Sequence, residues 1–413
     1  MSSAFHIHVG GAGVKIGDML WKLYEKEQNE TTQKNYIYDE VDGNYYPQAL
    51  FVDTDDRMIL EVQSSNSIKF KKHSFIHGNK DSSTYALSRY YYIKKTLEKA
   101  QDSIRKQIET MDRLDDFVIT SSISGGTGSG FTCELTYDLS NDYHKVNKNG
   151  FIIFPSSKVA NNVLGIYNTV LAMPNMIGYF DSITMFDNQS MYNFIDHQLD
   201  VDFVDYSFLN NLVAQIISSY TGIRRFNQED NSAFFSNLCP SPKLHFYIPS
   251  YGKLTLINDY VRKELEQREF IQFLKKIDQK LYQCSNNPHY ICSTLLLRKR
   301  QFNPFSGRLD QTINNLNNQF GQTSQIYQCK SSNYQVLPEL AEMKQTGTLF
   351  SNDASIASSL KALEKRFSYA YDQHAFIGGF EGWKSRDIYI ARDDLKQLQH
   401  EYEEFFTVDN QEI

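Results

Sequence analysis

The feature that most constrains this chain is a glycine-rich segment, Ser124–Gly130, between an apolar run and an amphipathic pattern. The run before it, Phe117–Ser122, is rich in β-branched residues and is typical of a buried strand. After it, Phe131, Leu135 and Leu139 recur every four residues, which predicts a helix from Phe131 onward. Glycines let backbone N–H groups approach an anion, and a helix N-terminus adds partial positive charge. The segment therefore predicts a phosphate-binding loop.

Two familiar phosphate-binding motifs do not match this segment. Phe131 stands where a Walker A loop has its lysine, and the glycine spacing differs from that of a dinucleotide-binding fingerprint. A flexible linker is the alternative interpretation, which the crowding of small residues between a strand and a helix disfavours. Gly128 is expected to touch phosphate and to need a positive φ.

A second strand–glycine turn–helix unit opens the chain. Phe5–Val9 alternates as a strand does, Gly10–Gly13 predicts a tight turn, and an apolar helical pattern starts at Ile16. The glycine spacing is a near miss to a dinucleotide-binding fingerprint, so a dinucleotide-dependent enzyme is an alternative, with Asp53 as its ribose ligand. That alternative leaves Ser124–Gly130 unexplained.

Three carboxylates follow the next predicted strand, Ala49–Asp53. Asp53, Asp55 and Asp56 lie at the end of that strand, where α/β sheets place their ligands. Solvated loop acids are the alternative interpretation. The polar stretch before the strand, residues 29–47, predicts a loop.

Composition excludes several classes of protein. At 413 residues the chain can form two or three domains. A net charge of −7 without a basic run argues against a nucleic-acid partner. The five scattered cysteines indicate neither a zinc site nor a disulfide framework and fit a reducing compartment. The opening residues lack a signal-peptide pattern, and no apolar run approaches the ~20 residues of a membrane helix, so no membrane partner is expected.

The glycine-rich segment resembles the phosphate loop of tubulins and their bacterial relative FtsZ. Gly125–Gly130 matches their motif, with Ser124 where tubulins usually have another glycine. Phe131–Thr132 is similar to the α-tubulin branch, and so is the opening of the chain, with His8–Gly10 and Ala12–Val14 in the same order. The resemblance extends over nearly the whole chain.

The resemblance implies an α/β fold. It comprises a tubulin/FtsZ-type nucleotide-binding domain with a parallel sheet, a central helix, a second mixed-sheet α/β domain and a C-terminal helical hairpin. The implied boundaries are residues 1–205, 206–222, 223–350 and 351–413. The apolar pattern of Tyr206–Tyr220 independently predicts the central helix.

The resemblance also implies GTP or GDP and Mg²⁺ as cofactors. The implied nucleotide-binding residues are Gly10, Gly11, Ala12, Asp53, Asp55, Asp81, Ser124, Gly125, Gly126, Thr127, Gly128, Asn188, Tyr206 and Asn210. Among them, Asp53 and Asp55 are implied to lie near the phosphates and the metal. The amides of Asn188 and Asn210 can match the edge of guanine while the Tyr206 ring stacks on its face. Without the resemblance, the helical pattern predicts a core aromatic at Tyr206.

Four positions depart from the family's pattern. Gly11 replaces a glutamine that contacts the nucleotide, Thr84 replaces an asparagine, and Gly165 replaces the glutamate that binds ribose. Ala233 falls where α-tubulins have the glutamate that activates water on the GTP of the neighbouring subunit. The phosphate loop and the base-contacting residues persist, so the resemblance implies nucleotide binding with impaired hydrolysis in trans.

No residue replaces the missing acid with certainty. Glu229 and Asp230 are nearby carboxylates that could act instead of a glutamate at 233, although the pattern favours ordinary surface loop acids. A carboxylate general base contributes roughly 10²–10⁴-fold to a rate. Whether the chain is an active enzyme is therefore left open by the sequence, which predicts at most a slow one.

The functional prediction is a cytoplasmic structural constituent of microtubules or of a tubulin-like filament. Its implied partners are a β-tubulin-like subunit, or further copies of itself, in head-to-tail longitudinal contacts within a microtubule lattice. The alternative is a non-polymerising regulatory or scaffolding pseudo-GTPase with the same fold.

Overall fold

The computed structural model describes most of the chain, in two compact units. The described residues are 2–28, 34–65, 68–156, 162–198, 204–227, 234–235, 237–253, 274, 276–285, 287–299, 323–330, 345–375 and 385–408. The first unit comprises residues 1–18, 34–183 and 356–404, and the second comprises residues 19–33, 184–355 and 405–413. The four-part division implied by the resemblance stays a prediction.

A parallel sheet forms the centre of the first unit. Its strands lie in the order β7-β6-β1-β4-β5, and every neighbouring pair is parallel. The strands of this unit, in chain order, are β1 (Ser2–Val9), the hairpin β2 (Tyr38–Val41) and β3 (Asn44–Pro47), β4 (Ala49–Asp53), β5 (Phe75–His77), β6 (Arg113–Ser122) and β7 (Asn147–Phe154). All five residues of β4 are buried, as expected for a strand in a sheet that is covered on both faces.

Helices accompany this sheet. They are α1 (Gly10–Glu27), which continues into the second unit, α2 (Arg57–Ser65), α3 (Lys94–Ile108), α4 (Thr132–Asp142) and α5 (Val163–Tyr179), with π-helical turns at Leu87–Tyr92 and Thr127–Phe131. The C-terminal part of the chain adds two long helices, Ile356–Asp372 and Ser385–Val408. The first of them packs on α5, where the rings of Tyr167 and Phe367 meet edge to face at 5.3 Å.

The second unit contains a mixed sheet, as predicted. After β8 (Ser182–Asp187) and the helices α6 (Asn188–Gln198) and α7 (Tyr206–Asn227) come β9 (Phe246–Lys253), β10 (Tyr290–Lys299), β11 (Thr323–Lys330) and β12 (Gln345–Asp353). The order is β11-β10-β12-β9, with β10 and β11 parallel and the other pairs antiparallel. The helix α7 matches the predicted central helix and extends it by two turns. The two long C-terminal helices, Ile356–Asp372 and Ser385–Val408, are numbered α8 and α9.

A buried ionic cluster holds α1, α7 and β10 together within the second unit. Glu27 accepts hydrogen bonds from Arg225 at 2.9 Å and from Arg298 at 2.7 Å, and all three side chains are almost completely buried. Burial alone would raise the pKa of Glu27, but the two guanidinium groups together lower it. Removing one member of such a cluster leaves an uncompensated buried charge, so the cluster fixes the pairing of these elements.

Two predicted loops are partly wrong. Residues 38–47 form a hairpin within the expected loop, and its turn has positive φ at Asp42 and at Gly43. An Asp-Gly pair is the preferred sequence for such a two-residue turn, so the signal was present. The first helix begins at Gly10 rather than at Ile16. Its first turn contains glycines because this turn packs closely against the strand ends. A Cβ at Gly13, for example, would collide with the Thr120 carbonyl oxygen.

Among the residues that the structure describes, no helix is long and apolar enough to cross a membrane.

Candidate functional site

Three neighbouring strands of the first unit end at the same edge of the sheet. β1 pairs with β4 on one side and with β6 on the other, all in parallel. Their carboxyl ends lie at Val9, Asp53 and Ser122. Because each strand is followed by a predicted ligand-binding turn, the topology brings the three turns into one region, the usual ligand position of an α/β sheet.

The two glycine turns touch each other. Gly10 has a φ of +72°, and a Cβ at this position would lie 3.2 Å from the backbone nitrogen of Gly128. The turn after β4 joins them, because the hydroxyl oxygens of Thr54 and Thr127 are 2.6 Å apart. The predicted grouping of Gly10, Asp53 and the glycine-rich segment is thus present in the structure.

Two helix N-termini meet at this contact. α1 begins at Gly10, and the helical path after β6 begins with the π-helical turn Thr127–Phe131, four residues earlier than the sequence pattern predicts. The first N–H groups of a helix have no intrahelical acceptor and carry partial positive charge. The cluster of Gly10, Gly11, Ala12, Gly126 and Thr127 therefore presents backbone donors suited to an anion.

Packing explains the glycines of the loop better than φ does. At Gly126 a Cβ would collide with the backbone of Ser82 and Thr84, and at Gly128 with the backbone of Ser122. Neither residue has a positive φ, so the expected positive φ at Gly128 is wrong. Gly125 is exposed, and a Cβ there would meet only the Ser122 oxygen at 3.8 Å. Gly126 and Gly128 therefore allow two backbone segments to pack closely against each other.

The carboxylate of Asp53 lies beside the glycine turns. It is 6% exposed, and its Oδ1 accepts a hydrogen bond from the Thr54 backbone nitrogen at 2.7 Å. Burial raises its pKa to about 6, against the opposing effect of hydrogen bonds from Thr54 and Thr127. Asp55 is half-buried and Asp56 is exposed. Of the three acids, Asp53 is the one that the structure places beside the glycine turns, since its Oδ2 would lie 3.9 Å from a Cβ at Gly11.

Gly11 leaves space where the family has a glutamine. A Cβ at Gly11 would lie 3.6 Å from the side chain of Met58 and 3.9 Å from Oδ2 of Asp53, both ordinary contact distances. Gly165 is similar, since its nearest neighbours would be atoms of Ser124 at 3.5 Å. Packing therefore does not require glycine at either position.

The segment that follows β5 also reaches the glycine loop. Asp81 is exposed, and Thr84 is buried. The Thr84 hydroxyl accepts a hydrogen bond from the Leu87 nitrogen at 3.2 Å, which is the bond of a helix N-cap. At this position threonine therefore caps a helix, whereas the resemblance expects an asparagine that faces phosphate.

The predicted base-contacting residues lie near one another in the second unit. Tyr206 and Asn210 are one turn apart at the start of α7, and Asn188 is one turn before Tyr192 on α6. The rings of Tyr192 and Tyr206 meet at 6.3 Å. Tyr206 is 64% exposed, so the core position that the helical pattern alone predicts is wrong. An exposed ring beside two half-buried amides can stack on a planar base. Sequence reasoning missed Tyr192.

Ala233, Glu229 and Asp230 lie outside the described residues. Among the described residues, no three His, Cys, Asp or Glu side chains form a cluster that could hold a metal ion by themselves.

Comparison with protein families identifies the fold that carries this arrangement. Residues 3–196, which include all three turns predicted to bind a ligand, match the model of the Tubulin/FtsZ family, GTPase domain. This part of the chain belongs to the tubulin/FtsZ family. The match confirms the resemblance of the glycine-rich segment and the α/β fold inferred from it.

Two curated relatives extend the similarity to the second unit. The chain is 28% identical to the tubulin alpha chain of the nucleomorph of Guillardia theta, over 98% of this chain and 97% of that protein. It is 27% identical to the tubulin alpha-8 chain of Caenorhabditis elegans, over 96% of this chain and 94% of that protein. Over nearly its whole length, the chain is thus similar to α-tubulins.

Proposed function

We propose that this protein is a tubulin-like cytoskeletal subunit that binds GTP or GDP. The observation that carries the proposal is the contact between Gly10 and Gly128, which brings two helix N-termini together beside Asp53. The family match supports a guanine nucleotide as the ligand, because the matching region is a GTPase domain.

The backbone nitrogens of both glycine turns bind the phosphates in this proposal. Gly10, Gly11 and Ala12 contribute from the first turn, and the second contributes the segment Ser124–Gly128. Asp81 lies near the phosphates in this proposal and acts through water, because an ionised carboxylate accepts hydrogen bonds and cannot donate one to a phosphate oxygen. No side-chain cation is needed, because backbone dipoles in a nest of this kind already favour an anion.

Mg²⁺ fits this set of donors. Magnesium in nucleotide sites keeps several waters and takes one or two carboxylates, with phosphate oxygens as further ligands. Asp53 and Asp55 supply the two carboxylates in this proposal. When bound, the metal would offset phosphate charge; the buried carboxylate of Asp53 gains a cation beside it, which favours its ionised form.

Asn188 and Asn210 bind the edge of guanine and Tyr206 stacks on its face in this proposal. An amide offers both a donor and an acceptor, and guanine presents both on one edge. The half-buried position of the two amides and the exposure of the Tyr206 ring support these assignments.

We further propose that the protein assembles head to tail with a β-tubulin-like subunit, or with further copies of itself, in microtubules or a tubulin-like filament of the cytoplasm. Similarity to two α-tubulins over at least 96% of the chain supports this assignment. Hydrolysis in trans is impaired in this proposal, because alanine occupies position 233 and glycine occupies positions 11 and 165.

A non-polymerising scaffold or regulatory pseudo-GTPase is the second candidate, favoured by those same losses. Co-sedimentation separates the two. Purified protein is mixed with tubulin, GTP and Mg²⁺, assembled, and pelleted through a cushion. A filament subunit enters the pellet in proportion to polymer mass and appears along the polymer length. Protein that binds GTP yet stays in the supernatant at every tubulin concentration supports the scaffold.

A further inference from the structure

Asn168, on the inner part of α5, connects two of the segments proposed to bind phosphate. Its side chain has no exposed surface. The amide oxygen accepts a hydrogen bond from the Tyr85 backbone nitrogen at 2.8 Å. The amide nitrogen donates to the carbonyl oxygen of Ser83 at 3.1 Å and to that of Ser124 at 2.9 Å. One side chain therefore satisfies three backbone groups on two separate segments.

The two segments that Asn168 connects are also in close contact with each other. The backbone of Ser82 and Thr84 lies so near Gly126 that a Cβ there would collide with it. The residues on either side of that contact, Ser83 and Ser124, are the ones that Asn168 binds. The amide of Asn168 thus fixes the position of one segment against the other beside Gly126, where the helix after β6 begins.

We infer that Asn168 is a positioning residue for phosphate binding, which holds the Asp81–Tyr85 segment against the glycine-rich loop. It touches no phosphate itself. This inference rests on the proposed function, since it concerns how the proposed site keeps its shape. A primary amide has two N–H donors and a carbonyl oxygen, so it can donate to two carbonyls and accept from an N–H at once.

Asn175 offers a matched control on the same helix. It is also a buried asparagine, 5% exposed, whose amide donates to the Cys133 carbonyl at 3.0 Å and accepts from the Arg89 guanidinium at 3.2 Å. Its partners belong to α4 and to the Leu87–Tyr92 turn, not to the two phosphate-binding segments. Asn168→Ala and Asn175→Ala therefore remove the same amide group from similarly buried positions. Only Asn168→Ala breaks hydrogen bonds to the proposed phosphate-binding segments.

The test compares these variants for binding of GTP and of inorganic pyrophosphate by calorimetry, below the melting temperature of each protein. Loss of three buried hydrogen bonds predicts affinities for both ligands at least about tenfold weaker in Asn168→Ala. Asn175→Ala should lower the melting temperature and leave both affinities unchanged. Equal affinities in the two variants would overturn the inference.

Two further measurements keep the inference testable if Asn168→Ala does not fold. Asn168→Asp keeps the size of the side chain but replaces the donor with an acceptor that faces two carbonyl oxygens, so it should also weaken pyrophosphate binding. In the unmodified protein, pyrophosphate should slow hydrogen exchange of the Tyr85 amide, whose acceptor is Asn168. An unchanged exchange rate at saturating pyrophosphate contradicts the inference.

The failure of the inference differs from the failure of the proposed function. If the unmodified protein binds neither GTP nor pyrophosphate, the proposed function is wrong, and there is no phosphate site for Asn168 to position. If the unmodified protein binds both ligands and Asn168→Asp binds them equally well, only the positioning role is wrong.

Discussion

The α-carbon of Gly128 lies so close to the Ser122 carbonyl oxygen that no side chain can be placed between them. Ser122 is the last residue of β6, and Gly128 belongs to the first helical turn after it. The end of the strand and the start of the helix are therefore in close contact at Gly128. A Cβ at Gly10 of the first glycine turn would lie 3.2 Å from the nitrogen of the same Gly128, so the two glycine turns pack together at this residue.

A single methyl group at Gly128 should therefore disrupt the site. Gly128→Ala must displace the backbone of Ser122, and we expect loss of measurable GTP binding together with a lower melting temperature. Gly125→Ala is the control, because its methyl group would meet only one atom, at 3.8 Å. Fluorescent GTP titration and thermal melts of both variants check this expectation. Normal GTP binding by Gly128→Ala would show that the segment is a linker.

Guanine selectivity should depend on Asn210. Asn210→Ala removes one amide proposed to bind the base edge, and an unmatched buried polar group costs roughly 1–3 kcal/mol. We expect GTP affinity to fall by about one to two orders of magnitude, while the affinity for pyrophosphate, which has no base, is unchanged. Equal losses for GTP and pyrophosphate in competition titrations would contradict the assignment.

Much of this site could be predicted from local sequence. The apolar strands β1, β4 and β6, the glycines after β1 and β6 and the acids at the end of β4 are strong signals, because each occurs within about ten residues of chain. The exposure of Tyr206 was predicted wrongly from pattern alone, since α7 is apolar on several faces and periodicity cannot show which aromatic side chain lacks a covering element.

Long-range hydrogen bonds explain what the sequence did not predict. The pairing of Asn168 with Tyr85 and Ser124 spans 83 and 44 residues, and nothing in the flanking residues marks that asparagine as different from Asn175. The glycines of α1 were predicted as a turn because glycine disfavours helices. Their packing against neighbouring strands, which overrides that preference, is visible only in the fold.

Stability should depend on pH through Asp116, the first buried residue of β6. Its carboxylate accepts hydrogen bonds from Tyr36, Asn147 and Asn149 at 3.1–3.2 Å, yet burial outweighs them and raises its pKa to about 6. Because the folded protein holds this proton more tightly than the unfolded chain, stability from Asp116 is complete below about pH 4 and declines up to about pH 6.

Asp116→Asn removes that titration. We expect the free energy of unfolding of the variant, relative to the unmodified protein, to increase between pH 4 and pH 7 by on the order of 2 kcal/mol. Urea unfolding at several pH values measures this difference. A difference that does not change with pH would show that Asp116 stays ionised in the folded protein.

Restoring the missing acid should accelerate hydrolysis. If position 233 lies against the GTP of the next subunit, Ala233→Glu supplies a general base, and phosphate release in co-assembly with a β-tubulin partner should rise by roughly 10²-fold or more. Ala233→Gln, which has the same length and no basic carboxylate, is the control. Brisk hydrolysis by the unmodified protein, lost in Glu229→Gln or Asp230→Asn, would show that a neighbouring acid already has this role.

The most direct test of the proposed function is to identify which nucleotide the protein retains from a mixture. The purified protein, incubated with Mg²⁺ and a mixture of GTP, ATP and NAD, is desalted and denatured in acid, and the released nucleotides are separated by ion-exchange chromatography. We expect GTP or GDP at close to one per chain, with no adenine nucleotide, and a marked loss in Gly128→Ala. Release of NAD, or of no nucleotide at all, from folded protein would contradict the assignment of this chain as a guanine-nucleotide-binding, tubulin-like subunit.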